Sequence, residues 1–152
     1  MKLVFSIIIC EAAGILGSVF TAPAIPGWYA GLKKPSFSPP NWVFGPVWIT
    51  LYALMGVAAY LVFKEGWEKK EGRIALAIFA AQLVLNSLWS FLFFGLRNPL
   101  LGLVDIVLLW LLILVTIWKF YAINKTAGLL LLPYIAWVSL ATALNFFIFK
   151  LN

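Results

Sequence analysis

Histidine is absent from the 152 residues, and cysteine occurs once, as Cys10. A lone cysteine closes no disulfide within the chain, and the common zinc ligand sets and the usual His or Cys haem ligation are excluded with it. Charge is scarce as well, since Asp, Glu, Lys and Arg together make up 11% of the chain, well below the roughly 25% of a soluble domain. The net charge of +6 could point to nucleic acid. However, the basic residues fall at the ends of apolar runs and form neither a stripe nor a tail, so no nucleic-acid partner is expected.

What is present is apolar: 64% of residues are hydrophobic and the mean hydropathy is +1.05. This is the composition of an integral membrane protein, in which charges and turn residues divide the chain into stretches of the roughly 20 residues that cross a bilayer. The expected architecture is all-α, one domain of five transmembrane helices over about 3–22, 40–63, 74–94, 99–121 and 126–149. Pro23 and Pro26 are expected to close the first helix, because proline cannot continue the backbone ladder. The run from Leu3 to Ala22 exceeds the roughly 7 to 15 residues of a signal-peptide core and contains Glu11, so it is read as a spanning helix. The stretch KEGWEKKEGR, 64–73, is read as a solvated connection. With five helices the termini lie on opposite sides. Lys2, Lys64, Lys69, Lys70, Arg73, Lys119 and Lys125 on the N-terminal side, against Lys33, Lys34, Arg97 and Lys150, favour a cytoplasmic N-terminus.

In lipid any apolar residue can face outward, so polar groups and clustered rings mark the inward faces. Phe44, Trp48, Tyr52 and Met55 share one stripe of the second helix by their spacing of three and four. Gln82, Asn86, Trp89 and Phe93 do so on the third, and Tyr134, Trp137, Ala141 and Asn145 on the fifth. Unpaired amides at Gln82, Asn86 and Asn145 would each cost several kcal/mol in hydrocarbon, so these side chains must bond within the bundle or line a cavity. Close-packed membrane helices prefer small residues at their contacts, whereas walls of Trp, Tyr and Phe hold backbones apart and suit a pocket for a flat apolar ligand.

Small residues occur elsewhere, at Ala13, Gly14, Gly17 and Ser18 and at Ala77, Ala80 and Ala81, and are read as helix contacts within or between protomers. Glu11 lies about 12 Å along the first helix from Leu3. It is either a neutral, hydrogen-bonded packing residue or a proton-carrying site. Asp105, on one face with Thr116 and Lys119, is expected to be a polar anchor at the membrane interface.

The connection KKPSFSPPNWVFGPVW, 33–48, holds four prolines, two tryptophans and two phenylalanines, where an ordinary loop would be small, polar and flexible. With Trp28-Tyr29 before it and Leu51-Tyr52 after it, this stretch resembles the TspO/MBR family, the translocator proteins or tryptophan-rich sensory proteins. The matching features are Lys34-Pro35, Pro39-Pro40 and Phe44-Gly-Pro-Val-Trp48. Further matches are QLVLNSLW with Gln82, Asn86 and Trp89, GLVD with Asp105, and LPYIAWVSLATALN from Leu132 to Asn145. Four helices are covered in family order.

The resemblance implies a five-helix bundle, usually a homodimer, with a cavity near one membrane face for porphyrins and synthetic drug-like ligands. The loop between the first two helices would close it, its Pro35, Pro39 and Pro40 forming a pre-organised lid. Family contact positions fall on Tyr29, Pro40, Trp48, Asn86, Trp137 and Ala141, while Phe44, Tyr52, Trp89, Phe93 and Asn145 join them through the aromatic and amide stripes. Tyr52 and Leu92 stand where some members carry Phe. The cholesterol-recognition segment of animal members, with its tyrosine and arginine, is replaced here by Phe146, Phe147 and Lys150, which puts a sterol partner at that site in question. No cofactor or metal is expected.

Three functions compete. One is a membrane receptor or translocator for haem-pathway tetrapyrroles. The second is a light-dependent porphyrin-degrading enzyme, with the oxidisable indoles of Trp48 and Trp137 as its catalytic candidates, although no general acid, base or nucleophile triad accompanies them. The third is a small proton-coupled exporter built on Glu11, without the inverted repeat many transporters show.

Overall fold

The structure, a computed structural model, describes residues 3–152; Lys2, counted in the charge bias, lies outside the described residues. Five helices among the described residues are long and apolar enough to cross a membrane: α1 (Leu3–Tyr29), α2 (Asn41–Gly66), α3 (Lys70–Gly95), α4 (Pro99–Ile123) and α5 (Lys125–Leu151). The protein is an all-α, multi-pass membrane protein. Helices are the open-ended solution in lipid because each backbone N–H and C=O finds its partner within the segment. The outer surface carries large apolar side chains such as Val4, Ile15, Val84, Val104 and Trp118, all well exposed. In water such a surface would aggregate; in a bilayer it is solvated.

α1 does not stop at Ala22. It runs through Pro23 and then widens over Ile25–Tyr29 into a π-helical turn that holds Pro26. There the Ala30 N–H donates to the Ile25 carbonyl at 3.1 Å. Proline removes a donor but does not end a helix whose neighbours and local widening satisfy the freed carbonyls. A second π turn, Phe91–Gly95, ends α3.

The connection between α2 and α3 is also shorter than the charges implied, being a turn of Trp67–Lys69 only. A Cβ on Gly72 would collide with the Gly66 carbonyl, so two glycines let the backbones touch. The Arg73 guanidinium donates to the Trp67 carbonyl at 2.8 Å and holds the turn. Charged residues can extend a helix past the bilayer, which is why their presence did not mark a loop here. Asn98 caps α4, its Oδ1 accepting from the N–H groups of Leu100 and Leu101, each at 3.1 Å.

Met55, Ala58 and Val62 of α2 meet Phe79 of α3, Ile106, Leu109, Ile113 and Phe120 of α4, and Tyr134 and Val138 of α5 in a continuous core. Asp105 is part of that buried stripe, 4% exposed, beside Gly102 and Ile106, and is not an interfacial anchor. Its position near an end of the sequence run concealed that this turn of α4 is covered by its neighbours. Ala77, Ala80 and Ala81 are exposed on the outside of α3.

α1 and α2 come closest at Gly56, where the Ser6 hydroxyl donates to the Gly56 carbonyl at 2.7 Å. A Cβ on Gly56 would lie 2.6 Å from the Ile7 Cα. Alanine favours a helix by about 1 kcal/mol over glycine, but here it forces two backbones apart, which costs about 1–3 kcal/mol. Gly56→Ala should therefore lower the thermal unfolding midpoint in detergent. Gly27→Ala, where a Cβ meets nothing within 4 Å, should leave it nearly unchanged. An unaltered midpoint for Gly56→Ala contradicts the packing described for α1 and α2.

Candidate functional site

Away from the Gly56 crossing α1 and α2 enclose, with α3 and α5, a cavity of about 600 Å³. α4 lines none of it and supports the other helices from behind. On α2, Phe44, Trp48 and Tyr52 line one wall, each about one turn from the next. On α3 the wall is Asn86, Trp89 and Phe93, and on α5 it is Trp137, Ala141 and Asn145. Tyr29 closes the end of α1. Thus ten of the eleven positions singled out from sequence face one space; Pro40 caps α2 with extended backbone and does not line it.

The floor is a chain of buried side-chain hydrogen bonds across three helices. The Tyr52 hydroxyl donates to Asn86 Oδ1. Asn86 Nδ2 donates to the Tyr134 hydroxyl at 2.7 Å, and that hydroxyl donates to Gln82 Oε1 at 2.6 Å. Gln82 Nε2 lies 3.9 Å from Met55 Sδ. A second link runs from Trp89 Nε1 to Asn145 Oδ1 at 2.9 Å, and from Asn145 Nδ2 to the Pro99 carbonyl at 2.8 Å. The amides that would be costly alone are thus joined, and in joining they fix α3 against α2 and α5.

The rings are ordered by mutual packing. Trp48 stacks on Tyr52 at 5.5 Å and Trp89 on Phe93 at 5.1 Å, while Trp137 meets Phe44 edge-on at 5.6 Å. The two π turns face each other: Trp28 and Tyr29 pack edge-on against Phe93 and Phe94, with centroids 5.5 Å apart in the closest pairs. Phe94 reaches the cavity beside Phe93. Consecutive residues of a regular helix point about 100° apart, so the pair was not readable from helical spacing.

α1 supplies a further wall, in which Gly14 and Ser18 were expected to be helix contacts. Glu11, Gly14, Ser18, Thr21 and Ile25 form one stripe at spacings of three and four. Their spacing with Glu11 was the available signal. Gly14 lies so close to the Tyr52 ring that a Cβ there would collide with it. Ile15, Ser18 and Ala22 of α1 and Asn41, Gly45 and Ile49 of α2 line the cavity and are exposed on its outer rim. The cavity therefore has a side that faces lipid.

The α1–α2 loop is held to the end of α5. The Lys33 N–H donates to Asn152 Oδ1 at 3.1 Å, and Asn152 Nδ2 donates to the Lys33 carbonyl at 2.9 Å. Phe37 packs edge-on against Phe147 at 5.7 Å, and the Lys34 ammonium sits 4.6 Å from the centre of the Tyr29 ring. Pro35, Pro39 and Pro40 lie in this tethered loop and are not part of the cavity wall. Among the described residues no group of three His, Cys, Asp or Glu converges as a metal site would require.

Residues 6–151 match the TspO/MBR family. The chain belongs to that family. It is 51% identical over its whole length to the tryptophan-rich protein TspO of Archaeoglobus fulgidus, covering 97% of that protein, and 47% identical to the tryptophan-rich protein TspO of Chlorobaculum tepidum, covering 96%. It is 43% identical to the human translocator protein over 126 residues, 82% of this chain and 75% of that one. In this TspO/MBR member, the motifs Phe44 to Trp48, Gln82 to Trp89 and Leu132 to Asn145 are the segments that build the cavity walls and floor.

Tyr134 is the centre of the floor, so Tyr134→Phe leaves an Asn86 donor and a Gln82 acceptor unpaired at once. Each such loss in a membrane protein is worth about 1 kcal/mol, and the variant should unfold at a lower temperature than the wild type in detergent. Tyr121→Phe, at an exposed phenol, should not. Equal midpoints for all three proteins would show that the floor carries no stability.

Proposed function

We propose that this membrane protein is a receptor or translocator that binds porphyrins and related flat apolar ligands in the α1–α2–α3–α5 cavity. The observation that carries the proposal is the wall of stacked and edge-packed rings around about 600 Å³ of space. Such a surface offers dispersion contact to a planar macrocycle at little cost in side-chain entropy. Membership of the TspO/MBR family supports the same reading. The lipid-facing rim between α1 and α2 supplies a route for an apolar ligand that is dissolved in the bilayer.

The tethered loop acts in this proposal as the lid. Its prolines limit its unbound conformations, so ordering it around a ligand costs less than for a flexible loop. Drug-like synthetic ligands would use the same rings. A homodimer would use the exposed Ala77, Ala80 and Ala81 face of α3, where small residues permit close approach.

Trp48 and Trp137 line the same space, and this favours a second reading in which indole oxidation consumes the porphyrin in light. Loss of porphyrin under illumination at an equal rate in a Trp48→Phe, Trp137→Phe double variant would remove the indoles from that role.

The test of binding is a protoporphyrin titration of the purified protein in the dark, followed by tryptophan emission. Emission should fall to a saturating level, since several indoles lie at the wall. Ala141→Trp fills the cavity from α5 and should weaken binding at least about tenfold, or 1.4 kcal/mol, with the unfolding midpoint preserved. Unchanged emission in the wild type, or unchanged affinity in Ala141→Trp, overturns the assignment of the ligand to this cavity.

A further inference from the structure

The cavity holds one feature that a receptor for apolar rings does not need. Glu11 lines it, and among the described lining residues it is the only carboxylate, with no lysine, arginine or histidine on the wall to neutralise it. It sits about 12 Å along α1 from Leu3. Gly14, one turn further, is the residue under the Tyr52 ring. Glu11 thus lines the cavity one helical turn from the point where α1 meets the Tyr52 ring, and the Trp48 ring stacked on Tyr52 lines the same space. The other titratable groups of the wall are the phenols of Tyr29 and Tyr52, and the neighbouring Cys10 is buried in the bundle.

We propose that Glu11 makes this cavity selective for aromatic amphiphiles that carry a basic amine, with the carboxylate as counter-ion and the indole and phenol rings as the surrounding cage. This rests on the cavity's being a ligand site and names a ligand class that the porphyrin reading does not. The faces of aromatic rings attract cations, and more strongly where water is excluded. A carboxylate in hydrocarbon is costly unless paired, and the described residues of this wall offer it no cationic partner. An amine that enters from the lipid as the free base and accepts the carboxyl proton forms an ammonium–carboxylate pair in which no net charge is buried. The rim between α1 and α2, with Ile15 and Ile49 exposed on either side, gives such a molecule an entry about one turn of α1 from Glu11.

The test uses the full chain in nanodiscs and two probes: a tricyclic aromatic bearing a dimethylaminopropyl chain, and its isostere with the nitrogen replaced by CH. Affinities are read from tryptophan emission in wild type, Glu11→Gln and Glu11→Asp, with the unfolding midpoint of each variant measured in parallel. In the wild type the amine should bind about tenfold or more tightly than the isostere. In Glu11→Gln, which keeps the shape but cannot hold the charge, that ratio should collapse towards one, and Glu11→Asp should recover part of it. A wild-type ratio near one, or an amine preference that survives in Glu11→Gln, overturns the proposal. If neither probe binds the wild type while protoporphyrin does, the amine proposal alone is overturned; if protoporphyrin does not bind either, both readings fall together.

Discussion

A bilayer gives apolar helices no reason to prefer one another over lipid tails, so the arrangement of this bundle depends on the few groups that lipid cannot satisfy. The principal set is the chain from Tyr52 through Asn86 and Tyr134 to Gln82, fully inside the bundle and drawn from three helices. Each member is a donor, an acceptor or both, and each has one geometry in which the rest are paired. That requirement selects the rotation of α2, α3 and α5 about their axes. Once these are set, Trp48, Trp89 and Trp137 have no choice but to face the common space.

The cavity then follows from what keeps α1 from filling it. At Gly56 and Gly14 the two helices touch through residues without side chains, and beyond Gly14 the rings of α2 hold α1 away. The π turns at Ile25–Tyr29 and Phe91–Gly95 finish the enclosure by bringing Trp28, Tyr29, Phe93 and Phe94 into one cluster at the end nearest the loop. π turns rotate the residues after them out of the regular helical order. Here that rotation allows Phe93 and Phe94 to face the cavity together. The loop that follows is tied to Asn152 and Phe147 on α5, so its position is coupled to the same helix that carries Trp137 and Ala141.

The sequence was informative where a stripe of polar and aromatic residues recurred at helical spacing. Tyr52, Asn86, Tyr134 and Asn145 were assigned to inward faces because lipid penalises them elsewhere, and that penalty holds regardless of tertiary detail. It failed where a local rule was overridden by neighbours. Pro23 and Pro26 read as a helix stop, yet a π turn absorbs them. The charges of 64–73 read as a loop, yet two touching glycines reduce it to a tight turn. Asp105 read as an anchor, yet α4 is covered along that stripe. The α1 wall was missed because Gly14 and Ser18 serve both helix contact and cavity lining, and composition does not separate the two.

The buried phenol–amide chain acts as one unit across three helices. A double-mutant cycle between Tyr52→Phe and Gln82→Leu tests it most directly, because these residues occupy opposite ends of the chain and are joined through Asn86 and Tyr134. Unfolding free energies in detergent for the two single variants and the double variant give the coupling. The expected coupling is at least about 0.5 kcal/mol, as for residues in one network. Losses that add to within about 0.3 kcal/mol, as independent sites do, would contradict it.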